Sequence, residues 1–284
     1  MKVSNFRLTV VKYDKLAGIG DHIIYALNRL YIKKKNEIIF FDFNNFFYTN
    51  QKNKNLWEEF FFQPFYCYKN IIKKKMQSND FVLEYNREVK NHLSYTSKNG
   101  KNNLQNYKKI KKLRKIFTKY IKFKPQILKE SRSFCQKNMK KKTLSIHIRG
   151  TDKFRIHSIG TDFIKEFQSK IIERIKKYKN KKKINKIFLA TDDFNIRNLM
   201  KKNFADCLIK KKINLNKNIE ALHLASIFES ESIKLKNCKI ALIDMILLSK
   251  CDESLLCQSN LSIVSILMRD NNKYDFLDSD IEYS

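Results

Sequence analysis

Apolar and polar residues alternate along several short stretches of the chain, and segments with helical spacing follow most of them. Residues 143–149 show the clearest alternation and predict a strand, and residues 161–178 carry apolar side chains on one helical face. The same half predicts further strands at 186–191, near 206–209 and at 253–257, and further helices at 194–203, 238–250 and 260–268. Strands that alternate with helices predict a parallel sheet covered on both faces.

The first half begins with a unit of the same type. Residues 8–13 predict a strand, a Gly18-x-Gly20 turn follows, and apolar spacing predicts a helix at 23–31. A helix N-terminus after such a turn can meet an anion or a sugar hydroxyl, although a simple tight turn is the favoured interpretation. A strand at 37–42 and a helix at 107–120 are also predicted. The α/β pattern therefore predicts two Rossmann-like domains, residues 1–135 and 136–284, with a cleft between them.

The remaining segments are less regular. Residues 43–70 are unusually aromatic, which would suit sugar stacking, but the filling of an irregular core is favoured. Residues 86–106 are polar and predict a loop, and Pro125 is expected in the connection between the domains. The acidic residues 270–284 are expected to fray.

The composition is strongly basic, with 59 Lys and Arg against 28 Asp and Glu, a formal net charge of +31. One hypothesis is therefore a protein that binds nucleic acid or an anionic surface, including peripheral association with a membrane. The favoured interpretation is a biased composition, because the lysines fall in scattered runs and no groove-reading motif accompanies them.

The six cysteines form no Cys-x-x-Cys pair and have no histidines at metal-binding spacing. They are interpreted as reduced thiols, typical of the cytoplasm. The sequence shows neither a signal-peptide apolar region nor a run long enough to span a membrane, so a soluble cytoplasmic protein is expected.

Polar side chains follow the strand at 143–149. His147 and Arg149 alternate with apolar residues, and Asp152 and Lys153 come directly after a Gly-Thr turn. Ligands of open α/β sheets bind at the carboxyl ends of the strands, and an arginine fork suits a pyrophosphate. The sequence therefore predicts a functional site here.

Two later segments have a similar form. Asp192 and Asp193 follow the predicted strand at 186–191, where they can accept hydrogen bonds from a base or a ribose. Ser259, Asn260 and Ser262 lie at a predicted strand-to-helix turn, where amides and hydroxyls can hold a phosphate. Asp244 interrupts an apolar helix and is interpreted as a buried packing carboxylate.

These three segments, in this order, resemble the motifs of the fucosyltransferase superfamily that includes α1,6-fucosyltransferases, rhizobial nodulation fucosyltransferases and protein O-fucosyltransferases. The α1,6 branch is the most similar, through His147-x-Arg149-x-Thr-Asp152-Lys153, Ala-Thr-Asp-Asp193 and Asp244-x-x-x-Leu-Ser-x-x-Asp. The resemblance covers residues 140 to 268, about half of the chain. It implies a GT-B-like fold and an inverting, metal-independent transfer of fucose from GDP-fucose to a glycan, with no cofactor.

The resemblance also implies roles for individual residues. Arg149 would contact the pyrophosphate, with help from Lys153, and His147 would contact the nucleotide. The α1,6 enzymes have a Gly-Thr-Glu after Asp-Lys whose glutamate is the proposed base, but Phe154 to His157 occupy that place here. Asp21, Asp152 and His157 therefore remain alternative bases.

Two other hypotheses stay open at this point. The charge favours a nucleic-acid-binding protein, and the missing glutamate favours a catalytically inactive sugar-binding relative. No metal site is predicted, because the single Asp-x-Asp, Asp278 to Asp280, lies in the acidic tail rather than at a strand end.

Overall fold

The structure is a computed structural model, and it describes residues 6–15, 17–44, 48–49, 54–85, 107–149, 161–211 and 229–277. The chain forms two compact units. The first comprises Met1–Leu128 and Ser226–Leu242, and the second comprises Lys129–Ala225 and Ile243–Ser284.

The elements follow one another along the chain with a short 3-10 turn at Tyr66–Tyr68. In order they are β1 Arg7–Tyr13, α1 Ile19–Tyr31, β2 Glu37–Phe43, α2 Leu56–Phe60, β3 Phe61–Phe62, α3 Lys69–Gln77, β4 Val82–Tyr85, α4 Tyr107–Tyr120, β5 Lys122–Phe123, α5 Pro125–Asn138, β6 Thr143–Ile148, α6 Thr161–Lys181, β7 Lys186–Thr191, α7 Phe194–Phe204, α8 Glu231–Lys250, β8 Glu253–Leu256, α9 Asn260–Leu267 and β9 Tyr274–Phe276. No helix in the described part of the chain is both long and apolar enough to cross a bilayer.

The first unit contains a parallel sheet in the order β2-β1-β4. The predicted strands at 8–13 and 37–42 are confirmed as β1 and β2. The helix predicted at 23–31 is confirmed as α1, but it begins at Ile19, so Gly20 lies in its first turn and, of the two glycines, only Gly18 precedes it. The outer edge of β2 is covered by side-chain amides, which replace a further strand. Gln63 accepts from the Phe41 amide at 2.9 Å and donates to its carbonyl at 2.8 Å, and Asn55 accepts from the Phe43 amide at 3.2 Å. These amides satisfy backbone groups that an exposed edge would leave open to pairing with another chain.

A buried ion cluster ties α1 to the strands of this sheet. Arg29 lies in the last turn of α1 and donates through Nε to Glu84 of β4 at 2.6 Å. The same guanidinium pairs with Glu37 of β2, whose carboxylate also accepts from the Thr9 hydroxyl at 2.7 Å. Removing one partner would leave a buried charge uncompensated, so the cluster fixes the position of α1 on the sheet.

The aromatic residues at 43–70 divide into buried and exposed groups. Trp57 and Phe61 stack at 4.5 Å between ring centroids, and each is 1% exposed, so core filling is confirmed for them. Phe62 and Tyr66 are 36% and 53% exposed. Five of the nine rings that the structure describes at 43–70 are buried, namely Phe43, Tyr48, Trp57, Phe60 and Phe61.

The second unit contains a parallel sheet in the order β7-β6-β8-β9. Alternate residues of β7 point to opposite faces: Ile187 packs with α6 and α7, whereas Phe188 packs with α8 and α9. The prediction of a parallel sheet covered on both faces is confirmed here. The strands and helices predicted at 143–149, 186–191, 194–203, 253–257 and 260–268 match elements of this unit to within about a residue at each end.

Four local predictions need correction or lie outside the described residues. The segment near 206–209 makes only one isolated bridge, between Ile187 and Leu208. The acidic end does not fray as far as residue 277, because β9 pairs with β8 and Asp275 bonds Arg174 at 3.1 Å. Pro125 is the first residue of α5, a helix that was not predicted. The predicted loop at 86–106 lies outside the described residues.

Candidate functional site

His147 lies near the carboxyl end of β6, a central strand of the second sheet. Every residue of this strand is buried, so its polar side chains must find partners inside the protein. The ring of His147 is 6% exposed, and its Nδ1 lies 2.7 Å from the Ser262 hydroxyl. Nδ1 also lies 3.3 Å from Ser259 Oγ and 3.3 Å from Cys257 Sγ. The second unit therefore brings together three predicted site residues, His147, Ser259 and Ser262.

The turn before α9 is fixed to β6 by both backbone and side-chain bonds. The Cys257 amide donates to the His147 carbonyl at 2.9 Å. Ser259 is the N-cap of α9, since its hydroxyl accepts from the Ser262 amide at 3.1 Å. Asn260 is the first residue of this helix and is half-buried. The helix N-terminus and the histidine thus share one pair of serines.

Arg149 follows β6 directly and is half-buried. The neighbouring strand ends at the same level, because Ile148 of β6 is in register with Thr191 of β7. Asp192 and Asp193 come next, and both are half-buried. Asp193 is the N-cap of α7: its Oδ1 accepts from the amides of Asn195 and Ile196 at 2.7 and 3.1 Å. The structure thus gives Asp193 a capping role, and its contact with a ligand stays a prediction.

A cavity of about 470 Å³ lies beside the carboxyl end of β7, between α7 and the segment at 208–211. Its wall is apolar where Leu189, Leu208 and Ile209 line it, and Thr191 contributes a hydroxyl. It is also lined by four cationic residues, namely Arg197, Lys201, Lys210 and Lys211. The combination of an apolar wall with several cations suits an anionic ligand that carries a flat or apolar part.

Lys211 connects this cavity to the buried carboxylate of Asp244. Its ammonium donates to Asp244 Oδ1, and Asp244 is 7% exposed. Burial raises the pKa of Asp244, and the charge of Lys211 opposes that change. The interpretation of Asp244 as a buried carboxylate of α8 is confirmed, and its partner is the cation that borders the cavity.

The basic cavity is the part of the site that the sequence interpretation missed. The lysine-rich composition was interpreted as a compositional bias, and none of these four residues was predicted as part of a site. One signal was available, because Arg197 and Lys201 are four residues apart on the helix that follows β7 and so lie on one face. The segment at 208–211 borders the cavity because Leu208 returns to β7 and bridges Ile187. The strand predicted near 206–209 indicated a return to the sheet but not the neighbour of the segment.

Cys257 is a second residue that was missed, although it contacts His147. At the other, amino end of β8, Arg269 is 2% exposed and donates to the carbonyls of Leu248 and Cys251 at 3.0 and 2.8 Å. These bonds join the end of α8 to the chain after α9. The arginine therefore has a structural role at the amino end of β8.

The remaining candidate residues, including the three alternative bases, do not belong to the described part of this site. Asp152, Lys153 and His157 lie outside the described residues. Asp21 belongs to the first unit, in the first turn of α1, where the Tyr13 hydroxyl donates to its Oδ2. Burial, followed by the negative charge of Asp21, raises the pKa of Tyr13. Within the part of the chain that the structure describes, no three His, Cys, Asp or Glu residues cluster as metal ligands.

Comparison with known proteins connects this fold to one class of enzymes. No family model matches the sequence, and no curated protein matches it. The fucosyltransferase NodZ from Bradyrhizobium has a similar structure, with a TM-score of 0.57 and 12% identity over 93% of this chain and 92% of that one. The NodZ α1,6-fucosyltransferase soaked with GDP-fucose gives 0.56 and 13% over 93% of both chains. POFUT1 in complex with GDP gives 0.55 and 11% over 96% of this chain and 98% of that one. The chain therefore has the fold of these proteins along nearly its whole length.

Proposed function

We propose that this protein is a fucosyltransferase that transfers fucose from GDP-fucose to a hydroxyl of a glycan. The observation that carries the proposal is the end of β6, where His147 bonds the first turn of α9 and Arg149 follows the strand directly. This arrangement occurs in a chain whose fold is that of NodZ and POFUT1, and structures of those proteins were obtained with GDP-fucose or GDP. The sequence motifs at the same positions support the same function.

Arg149 is proposed to stabilise the leaving diphosphate. Fucosyl transfer breaks the bond between the sugar and the diphosphate, and negative charge accumulates on the departing phosphate oxygens. A guanidinium supplies a fixed positive charge and two parallel donors, which suits that developing charge. Lys153 is proposed to add a second cation. This chemistry requires no cofactor, and we propose that it proceeds without a metal ion.

The cavity beside β7 is proposed to receive the nucleoside part of the donor. It begins one strand away from Arg149, and its apolar wall suits a base. Its cations suit the phosphate end. Asp192 and Asp193 are proposed to contact the base or the ribose, and Ser259 and Asn260 the phosphates. Asp244 is paired with Lys211 and is given no contact with the donor in this proposal.

An inverting reaction needs one base that removes the proton of the acceptor hydroxyl as the sugar is attacked from the opposite side. Asp152, His157 and Asp21 remain the alternatives. We propose that the first unit receives the acceptor, as expected for the GT-B-like organisation with a cleft. A cytoplasmic location, and attraction of the basic surface to a membrane that holds the acceptor, belong to the same proposal.

The proposal is tested by nucleotide-dependent thermal stabilisation followed by a transfer assay. A ligand at a concentration of about 100 Kd adds about 2.7 kcal/mol to the free energy of unfolding, so GDP should raise the melting temperature. UDP and CMP at the same concentration should not. Transfer is then measured with labelled GDP-fucose on a panel of oligosaccharides.

Each alternative hypothesis predicts a different result. A catalytically inactive relative would bind GDP but would neither hydrolyse nor transfer GDP-fucose. A nucleic-acid-binding protein would ignore GDP and bind nucleic acid of any sequence with a steep dependence on salt. Equal stabilisation by GDP, UDP and CMP would contradict recognition of the guanine base.

A further inference from the structure

Nδ1 of His147 and the hydroxyl oxygens of Ser259 and Ser262 lie within hydrogen-bond distance of one another. Ser262 Oγ lies 2.7 Å from His147 Nδ1, Ser259 Oγ lies 3.3 Å from the same nitrogen, and the two hydroxyl oxygens are 3.1 Å apart. Ser259 is 2% exposed and Ser262 is fully buried, so bulk water does not compete for these groups. The positions of their protons follow from counting donors and acceptors.

Each serine contributes one hydroxyl proton. Ser259 Oγ already accepts the amide proton of Ser262. Within the described part of the chain, the hydroxyls of the two serines have no acceptors other than each other and His147 Nδ1. If Nδ1 is unprotonated, Ser259 donates to Ser262 Oγ and Ser262 donates to Nδ1, and both protons are used.

The other tautomer leaves a proton unused. If Nδ1 carries a hydrogen, it donates to Ser262 Oγ, and Ser262 then donates to Ser259 Oγ. The hydroxyl proton of Ser259 would then have no acceptor in a buried position, which costs about 1–3 kcal/mol. Cys257 favours the first arrangement as well, because its thiol lies 3.3 Å from Nδ1 and is a weak donor.

We infer that Ser262 and Ser259 are positioning residues that hold His147 as the tautomer protonated on Nε2. The ring proton then lies on Nε2, the nitrogen that does not bond the two serines. An N–H donor suits a phosphate oxygen of the nucleotide, whereas a bare nitrogen would repel it. This role rests on the proposed function, but the tautomer itself does not depend on it.

The same serines couple the ring to the helix beside it. Ser259 caps α9 through the Ser262 amide, and the Ser262 hydroxyl orients the imidazole. The amides of the first turn of α9 and the histidine N–H therefore keep a fixed relative position. Such support of a site residue by buried hydroxyls resembles the way outer-shell groups fix the tautomer of metal-binding histidines.

The tautomer is measured directly by NMR on the full-length protein labelled with ¹⁵N-histidine. The chain has five histidines, so the signals of His147 are assigned with a His147→Gln variant. Spectra are recorded at mildly alkaline pH, where an ordinary histidine is neutral. We expect wild-type His147 to be protonated on Nε2. A spectrum with the proton on Nδ1 overturns the inference, whatever the variants do.

The positioning role is tested with variants of α9. Ser262→Ala removes the nearest partner of Nδ1, so we expect a mixture of tautomers and about fivefold weaker binding of GDP by calorimetry. Ser262→Thr keeps the hydroxyl and should restore both. Ser265→Ala is the matched control, because Ser265 is equally buried on the same helix but donates to the Ser262 carbonyl at 2.7 Å and not to His147.

The two proposals fail in different ways. If wild-type protein has the Nε2 tautomer but does not bind GDP, the proposed function fails and the serine arrangement stands. If GDP binds and Ser262→Ala changes neither the tautomer nor the affinity, the positioning role fails and the proposed function stands. A loss of affinity of the same size in Ser265→Ala would also contradict the positioning role, because it would indicate a general effect on α9.

Discussion

Each unit has a helix N-terminus near the end of a parallel strand, and the side chains that surround this helix N-terminus differ between the two units. In the first unit, α1 follows β1, and its N-cap is Gly18, which has no side chain to cap the helix. The Tyr48 hydroxyl accepts from the Ile19 amide instead, at 3.1 Å. In the second unit, α9 follows β8 and is capped by Ser259, which also lies within reach of His147.

The surroundings of the two helix ends differ as much as their caps. Next to α1, the ring of Tyr13 stacks on Tyr25 with centroids 4.0 Å apart, and His22 meets Tyr13 edge to face at 4.9 Å. The end of β1 is therefore largely a packed aromatic core, whereas the end of β6 is lined by hydroxyls, a thiol and a guanidinium. A Gly-x-Gly turn alone does not identify a ligand site; the side chains packed around the helix end decide its chemistry.

The prediction with the largest expected effect concerns the aromatic core at the end of β1. His22 is fully buried and donates through Nδ1 to the Gly18 carbonyl at 3.3 Å. Burial lowers its pKa from 6.5 to about 4, although the hydrogen bond to Gly18 and the charge of Asp21 oppose the change. Between these values the unfolded chain binds a proton that the folded protein does not. The free energy of unfolding should therefore fall by about 3 kcal/mol as the pH drops from about 6.5 to about 4.

Urea unfolding at several pH values measures this effect in the first unit. The single tryptophan, Trp57, is buried there, 5.4 Å from the ring of Phe43, so its fluorescence reports on that unit. A His22→Gln variant should lose most of the additional acid sensitivity, even if it is less stable at neutral pH. Equal pH dependence in wild type and variant would mean that His22 is solvated and that the two strand ends are more alike than the structure indicates.

The second prediction concerns the polar side chains at the end of β6. Arg149→Lys keeps the charge but loses the planar fork, so transfer should fall at least tenfold, about 1.4 kcal/mol in transition-state stabilisation. Arg132→Lys is a matched control, because Arg132 is exposed on α5, away from the end of β6. Steady-state kinetics with GDP-fucose measure both variants. Wild-type kinetics in Arg149→Lys would remove this arginine from the site.

The elements that carry this contrast could be predicted from sequence to different degrees. The alternation of apolar and polar residues at 143–149 was sufficient to predict β6 and the polar groups at its end. It could not predict that Nδ1 of His147 bonds a serine 115 residues later, because that contact depends on the pairing of β6 with β8. The tautomer and the basic cavity follow from such long-range contacts and from no local pattern.

Two elements, α5 and β9, were not predicted because of features of their own sequences. α5 contains many polar residues, and Pro125 was expected in the connection between the domains, although proline is common at the first position of a helix. β9 is a strand of three residues at the edge of the sheet, too short for a periodic signal. Its position depends on the pairing with β8, and its Tyr274 and Phe276 pack against the core on one face of the sheet.

The third prediction, of a smaller effect, concerns Asp193. Its carboxylate caps α7, so Asp193→Ala should lower the free energy of unfolding by about 1 kcal/mol. Asp193→Asn retains a capping oxygen and should be close to wild type in stability. Calorimetry with GDP separates capping from binding: if the carboxylate also contacts the nucleoside, the Asn variant should lose affinity while it keeps its stability. Unchanged affinity in both variants would restrict Asp193 to the cap.

The smallest expected effect is that of removing metal ions. The carboxyl ends of three neighbouring strands carry a guanidinium after β6, a hydroxyl at the end of β7 and a thiol after β8, from Arg149, Thr191 and Cys257. The guanidinium offers a leaving diphosphate a fixed cation, as the proposed function requires, whereas the two carboxylates after β7, Asp192 and Asp193, are proposed to contact the base or the ribose rather than a metal ion. Treatment with EDTA should therefore change the rate of transfer by less than about twofold, within the range of ordinary buffer effects on electrostatic catalysis.

The assay is run with enzyme dialysed against EDTA, with and without added Mn²⁺, and Arg149→Lys is included under both conditions. Loss of activity on chelation and its recovery with Mn²⁺ in the wild type would show that a cation other than Arg149 balances the diphosphate. If Mn²⁺ rescued only the Arg149→Lys variant, the metal would be substituting for the guanidinium, which would support the role assigned to Arg149.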